Sequence, residues 1–302
     1  MTKKIKIVTH SSGFHTDDVF AVATLLLLLG DENCEVIRSR DKEVIESADY
    51  VVDVGFVHNP ERNRFDHHQE GKAGERDNGI PYASFGLVWK KFGVDVVGSR
   101  TLADAIDQWL VQPIDAFDNG VDLAKLARID VRPFLIQNVV EAFHPGWREN
   151  RDMREAFSDA VMWAKVVLQR EIVYQNTVLE MQAYAEETYQ QSKDKRLIIF
   201  EGKRELSRDI VIGALLKHSE PLYFMRYRGS DGNWSVECVR NDVFNFDTNR
   251  KPLPREWAGK NKEELATVTG VSDAYFCHNN CFLCVARSRE GAFKLAQLAL
   301  EV

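Results

Sequence analysis

Lys4-Ile5-Lys6-Ile7-Val8-Thr9-His10-Ser11-Ser12-Gly13-Phe14-His15-Thr16-Asp17-Asp18 is the stretch that decides the fold. Its first six residues form a short apolar run, which predicts a strand over 4–9 that ends at His10. Asp17 is placed to cap a helix over 18–29, whose Val, Phe, Ala and Leu content predicts burial on several sides. Strand, histidine-bearing loop and helix follow one another as in a βαβ unit. The loop then lies at the carboxyl end of a strand, where α/β sheets bind their ligands. Gly13 is expected to let the loop turn so that His10, His15 and Asp17 point into one space.

Outward from this stretch, short strands are predicted over 35–38 and 50–54, with a small helix over 41–48 between them. That alternation predicts a mainly parallel sheet. Helices are expected over 81–92 and 100–111, and residues 149–192 carry a long helical pattern free of proline and glycine. After Lys193 strands are expected over 196–200, 222–228, 234–239, 274–278 and 282–286, with helices over 207–217 and 289–300. Gly229-Ser230-Asp231-Gly232 is a turn signal that joins two of those strands as a hairpin. The expectation is an α/β chain with two domains. Residues 1–192 carry the parallel sheet and the long helical connector, and residues 193–302 form a smaller mixed α/β domain.

Composition sets the outer bounds. The 302 residues are 28% charged and 44% hydrophobic, with a net charge of −7. This excludes a disordered, collagenous or disulfide-framed chain, and the length suffices for a sizeable core. Val19 to Leu29, the longest apolar stretch, falls short of the ~20 residues a membrane span needs. Lys-rich residues 1–6 lack the h-region of a signal peptide and the Arg/Ser-rich amphipathic helix of a transit peptide. Five cysteines, an odd number, fit a reducing compartment. A cytoplasmic protein of bacterial or viral origin is therefore expected. Residues 1–192 hold 21 Lys and Arg against 31 Asp and Glu, and residues 193–302 hold 18 against 15. That split could mark a metal-binding part and an anion-gripping part, but on charge alone ordinary compositional variation is the favoured account. The overall sign argues against duplex DNA, which needs a broad cationic surface.

Histidine placement is the strongest chemical signal. Five of the eight histidines, His10, His15, His58, His67 and His68, lie within the first 68 residues. Asp53 closes the apolar run Tyr50-Val51-Val52, a costly place for a carboxylate unless it is paired or bound to a metal. Asp115 and Asp118 precede the turn residues Asn119-Gly120. Each piece alone has an ordinary structural account: a solvated Asp-His-His loop, a core histidine, a helix cap, a pair of turn formers. Together, at successive strand and loop ends, they point to a site for Mn²⁺, Zn²⁺ or Fe²⁺, and carboxylates able to bridge favour two metals. Cys277, Cys281 and Cys284 beside His278 form a loose C-x3-C-x2-C pattern. Alternating strand residues point to opposite faces, so buried inert thiols are expected there in preference to structural zinc.

His10-x4-His15-x-Asp17, Val52-Asp53-Val54-Gly55, Arg64-Phe65-Asp66-His67-His68-Gln69 and Asp115-Ala116-Phe117-Asp118-Asn119-Gly120 resemble the DHH phosphoesterase superfamily. More narrowly, the chain resembles the MYG (melanocyte proliferating gene) family of metal-dependent exonucleases. The likeness extends through Pro60-Glu61-Arg62, Trp234 to Val239, Pro252-Leu253-Pro254-x-x-Trp257 and Arg289-Glu290-Gly291-Ala292, nearly the whole chain. It implies a two-lobed α/β fold with catalytic metals on the first lobe and a second lobe that binds substrate.

Carried over by position, the resemblance gives one metal to His10, His15 and Asp53. The other goes to Asp17, Asp53, His67 and Asp118, with Asp53 bridging and Asp115 as the alternative to Asp118. Two divalent ions are implied, Mn²⁺ first and Mg²⁺ second, which activate a hydroxide for in-line attack on phosphorus. His68 is expected to contact phosphate or protonate the leaving oxygen, and Asp66 to orient His67 or His68. His58 falls outside the motifs. Arg287, Arg289 and His278 are the expected substrate contacts, although Cys281, Cys284 and Val285 stand where the superfamily has glycines. The implied substrate is single-stranded RNA or a short oligonucleotide, digested from an end, with no membrane partner and a homodimer allowed. A hydrolase of a small phosphorylated metabolite or pyrophosphate is the rival reading, and a catalytically silent binding protein the third.

Overall fold

A computed structural model describes residues 3–125, 128, 130–243, 245 and 247–302. The chain divides into two compact units, Met1–Asn176 and Thr177–Val302. In the first, β1 (Ile5–Thr9), α1 (Thr16–Leu29), β2 (Cys34–Arg38), α2 (Lys42–Glu46) and β3 (Tyr50–Val52) alternate as expected. Two short strands that the sequence pattern does not reveal follow, β4 (His58–Asn59) and β5 (Arg64–Phe65). Two-residue strands have too little periodicity to be read. The sheet order is β2-β1-β3-β5-β4, parallel throughout except for the β4–β5 pair. From β1 the chain moves first to one side and then to the other. The switch point therefore falls between β1 and β3, and there the loops after the two strands diverge to leave a crevice.

Helices α3 (Ser84–Val97), α4 (Arg100–Ile106), α5 (Gln112–Asp118) and α6 (Ile136–Glu141) complete the unit, and α7 (Met153–Gln191) follows. The helix expected over 100–111 instead passes through a π-helical turn at Asp107–Val111 and continues into α5. Asp115 and Asp118 are thus helical, not turn residues. Helix α1 packs against α3, with the rings of Phe20 and Phe85 5.5 Å apart. Every residue of α1 from Thr16 to Leu26 is buried, in keeping with its apolar content.

The second unit holds β6 (Leu197–Ile199), α8 (Arg208–Leu215), β7 (Tyr223–Tyr227), β8 (Trp234–Cys238), α9 (Lys262–Thr269), β9 (Ala274–Cys277), β10 (Leu283–Ala286) and α10 (Arg289–Glu301). Its sheet runs β6-β7-β8-β10-β9, with β6–β7 parallel and the rest antiparallel. The division at residue 192 expected from composition counts the whole connector with the first part. In the structure Ala185 and Tyr189 of α7 are buried with Ile198, Phe200 and Phe224, so the last turns of that helix belong to the second core. No helix among the described residues is long and apolar enough to cross a membrane.

Candidate metal centre

The loop after β1 is shaped by Arg38 rather than by glycine. Ser12, not Gly13, takes the left-handed conformation, with φ of 79°. A Cβ on Gly13 would meet nothing within 4 Å. The Arg38 guanidinium donates to the carbonyls of Ser12 and Gly13, each at 2.8 Å, and lies 4.7 Å from the centre of the Phe157 ring. A clamped carbonyl pair does the work expected of Gly13.

The cap of α1 also differs from expectation. His15 is the N-cap residue, and its backbone N–H donates to Asp18 Oδ1 at 2.7 Å. Asp17 lies inside the first turn and instead caps a different helix. Its Oδ1 accepts from Phe85 N at 2.7 Å and its Oδ2 from Ser84 N at 3.2 Å, at the amino end of α3. The two backbone donors at the amino end of α3 fix the Asp17 carboxyl group in place.

Asp53 follows β3 in a left-handed conformation, with φ of 54°. A non-glycine residue held there costs of order 1–3 kcal/mol and marks a position the surroundings over-determine. Its N–H donates to Phe65 O at 3.0 Å, and its Oδ1 accepts from Ser84 Oγ at 3.1 Å. After β5, Asp66 is buried and fully engaged. Its Oδ2 accepts from Phe56 N at 2.6 Å, and its Oδ1 from His68 N at 3.0 Å and His68 Nδ1 at 2.8 Å. Asp66 therefore orients His68, not His67.

The separate segments converge. His10 Nε2 lies 3.3 Å from both Asp53 Oδ2 and Asp18 Oδ2. His67 Nε2 lies 3.4 Å from Asp53 Oδ1 and 3.2 Å from Asp118 Oδ2. His68 Nδ1 stands 3.3 Å from Asp53 Oδ1, and the His10 and His15 rings are 5.4 Å apart. Three groups bring their ligand atoms within 4.8 Å of one another: His10, His15 and Asp18; Asp53, His67 and His68; Asp17, His67 and Asp118. Asp53 thus touches imidazoles from two of the clusters. Sequence reasoning does not single out Asp18. Its signal is the run Asp17-Asp18 three residues after an N-cap histidine, where a capping-box acid is commonplace.

Electrostatics fit the same picture. Burial disfavours a charged His10, yet Asp18 and Asp53 outweigh it and push the ring up to about 10. Burial likewise opposes charge on His67, but Asp118 and Asp53 drive it up to about 11. Burial raises Asp17 well above the usual carboxylate range, with Asp118 and Asp53 adding repulsion. Asp53 is pulled below that range by His10 and His67 in spite of its burial. So many acids in one place call for positive charge. His10 Nε2, His67 Nε2 and Asp18 Oδ2 are buried, and none makes an aligned hydrogen bond. Their ion pairs are not aligned as hydrogen bonds, which leaves three buried atoms whose bonding capacity a cation can take up. Imidazole nitrogens and carboxylate oxygens are the donor set that divalent transition metals take.

Other expected residues lie elsewhere. Asp115 joins none of the three groups, because its carboxylate is already used. It accepts from Arg76 Nη1 at 2.7 Å and Gly86 N at 3.0 Å. Burial nonetheless pushes it up to about 7, against the pull of Arg76. Among the described residues His58 also joins none of the groups. In the second unit Arg289 pairs with Glu201, Arg287 lies 5.4 Å from the centre of the Tyr275 ring, and His278 packs 4.2 Å from Phe282. All five cysteines are free and buried, and among the described residues none enters a metal-sized group.

Known proteins resemble the chain along nearly its whole length. Residues 6–300 match the family model MYG1_exonuc, described as an uncharacterised protein family (UPF0160). The MYG1 protein of Dictyostelium discoideum is 31% identical, over 97% of this chain and 95% of its own length. The MYG1 exonuclease of Rattus norvegicus is 30% identical over 98% of this chain and 84% of its own. A MYG1 protein of Chlamydia pneumoniae is 28% identical over 98% and 96%. Among solved structures, RecJ from Thermus thermophilus in complex with Mn²⁺ aligns with a TM-score of 0.32 and 12% identity. That alignment covers 98% of this chain and 52% of the RecJ chain. With the family model matched from residue 6 to residue 300, the chain belongs to the MYG1 family.

Proposed function

We propose that the protein is a metal-dependent phosphodiesterase that degrades single-stranded nucleic acid from an end, with RNA as the first substrate to test. One observation carries the reading: imidazoles and carboxylates from four separate chain segments converge, and three of their buried atoms, His10 Nε2, His67 Nε2 and Asp18 Oδ2, make no aligned hydrogen bond. The name exonuclease borne by relatives at about 30% identity supports the nucleic-acid part.

His10, His15 and Asp53, joined by Asp18, would hold one divalent ion, Mn²⁺ or Mg²⁺. Asp17, Asp53, His67 and Asp118 would hold the other. Such a pair supplies an activated water and neutralises charge on the phosphoryl oxygens during in-line displacement. The chain's own residues prepare that chemistry. Ser84 Oγ and the amino end of α3 fix Asp53 and Asp17, as outer contacts do for metal ligands. Asp66 accepts at His68 Nδ1, which leaves Nε2 of this half-exposed ring to contact phosphate or protonate the leaving oxygen. Arg287, Arg289 and His278 stay proposed as contacts to a longer strand, Arg289 after release of Glu201.

End-labelled single-stranded RNA, pyrophosphate and a dinucleotide incubated with Mn²⁺ test the reading. Progressive shortening of the RNA is expected. Cleavage of pyrophosphate alone would move the assignment to a small-molecule phosphatase, and no turnover with any divalent metal would defeat both.

A further inference from the structure

Beside the candidate metal centre lies a cavity of about 630 Å³. His15, Asp17, His68 and Asp118 form the wall shared with that centre. The opposite wall comes from α6 and the turn after it, where Gln137, Val140, Glu141 and His144 recur at the three- and four-residue spacing of one helix face. His144 pins that wall in place, since its Nε2 accepts from Phe14 N at 3.2 Å and its ring lies 4.1 Å from that of Phe14.

We infer that this cavity is the subsite for one nucleoside of the substrate, the unit attached to the phosphate that undergoes hydrolysis. The inference rests on the phosphodiesterase reading above and deepens it. Three observations point to a nucleoside. The first is size, because pockets of about 300–1,000 Å³ enclose a ligand of one small molecule and would not admit a duplex. The second is Phe117, which neighbours Asp118 in α5, lines the cavity and is 51% exposed. An exposed ring beside the reacting group is a stacking platform for a base.

The third is Gln137. It is only 6% exposed, lines the cavity, and its amide makes no hydrogen bond with any described residue. Its amide is not sealed off from that cavity, and its paired donor and acceptor match the hydrogen-bonding edge of a base. Charge disfavours a second phosphate as the occupant. The cavity walls include Asp17, Asp118 and Glu141 and no lysine or arginine. With Asp17 and Asp118 engaged by the proposed cation, Glu141 remains as the acid that a second phosphate would meet, and a neutral nucleoside carries no charge for it to repel.

The test is a fluorescence titration of 2-aminopurine riboside 5′-monophosphate with Mn²⁺ present, using ribose 5-phosphate as the baseless control. The nucleotide is expected to bind more tightly than the control. Phe117→Ala should cut that preference about 5- to 150-fold, the loss of one stacked base. Gln137→Leu should cut it about 5-fold or more while the thermal midpoint holds, since the amide pairs with no described residue. A nucleotide that fails to bind, that binds no better than ribose 5-phosphate, or whose preference survives both substitutions overturns the subsite. Tighter binding of pyrophosphate than of the nucleotide does the same. The two readings separate cleanly. RNA cleavage with an unchanged preference in the variants removes the subsite alone, and the expected preference without RNA cleavage removes the phosphodiesterase reading alone.

Discussion

Each unit buries carboxylates, and the two resolve the cost in opposite ways. In the second unit Glu237 accepts from Arg226 Nε at 2.8 Å and from Ser235 Oγ at 2.8 Å, with Arg208 Nε 3.0 Å away as an ion pair that is not an aligned hydrogen bond. In the first unit Asp53 faces His10 and His67, whose Nε2 atoms lack aligned partners. Guanidinium keeps its protons at any working pH, so the Glu237 cluster is permanently closed. Imidazole gives up its proton and then offers a lone pair, so the Asp53 cluster can exchange protons for cations. Even within the first unit Asp115 follows the closed pattern, through Arg76, and Asp118 the open one, through His67. The choice of base beside a buried acid separates a structural network from a site.

The comparison can be broken at several points, in descending order of effect. Asp53→Ala should abolish hydrolysis and strip both cations, because one carboxylate serves two clusters. Wild-type turnover, or an unchanged Mn²⁺ stoichiometry by calorimetry, would end the bridging assignment. Glu237→Ala should leave Mn²⁺ binding intact and destabilise by about 3–5 kcal/mol, since it strands buried arginines. Chemical denaturation reads this, and a loss of Mn²⁺ affinity instead would erase the contrast between units.

Asp118→Asn and Asp115→Asn sharpen the contrast inside one helix. The first should weaken Mn²⁺ binding and keep the denaturation midpoint. The second should keep Mn²⁺ binding and lower stability by about 1–3 kcal/mol, the cost of an impaired buried hydrogen-bonding partner. The reverse pattern would exchange their roles. Ser84→Ala, which removes a donor to Asp53, should weaken Mn²⁺ affinity by about 10- to 100-fold, the usual scale for an outer contact to a metal ligand.

The smallest effect concerns protons. His10 is held up to about 10 and His67 up to about 11, against an ordinary value of 6.5. Their pairing therefore stabilises the metal-free protein fully below about pH 6.5, and that contribution is lost as pH rises through their folded values. Mn²⁺ must displace those protons, so its affinity should fall as pH falls and binding should release protons. Titration calorimetry in two buffers of different ionisation enthalpy measures that release; none detected would place the cations elsewhere.

Much of this was legible in the order of residues. The run from Lys4 to Asp18 announces β1, the ligand loop and α1, because a strand's apolar run and a helix's cap are local signals. Local signals were also where the reading failed. Asp17 looks like a cap for its own helix, yet it caps α3, 67 residues away in the chain. Gly13 looks like the hinge of the loop, yet Arg38 bends that loop at Ser12. The two-residue strands β4 and β5 have no pattern of their own and exist only because β3 offers an edge to pair with.

By itself the sequence determined the alternation of strands and helices, the family, and the kinds of donor atom available at strand ends. Periodicity and residue chemistry are carried by neighbours in the chain, so they need no third dimension. Only the tertiary structure decided which acid meets which base. It gave Asp115 to Arg76 and Asp118 to His67, and it recruited Asp18 beside His10. It also left Gln137 unpaired against a cavity. The Asp115 and Asp118 pairings depend on close approach between residues tens of positions apart, which the packing of α1, α3 and α5 against one another helps to set.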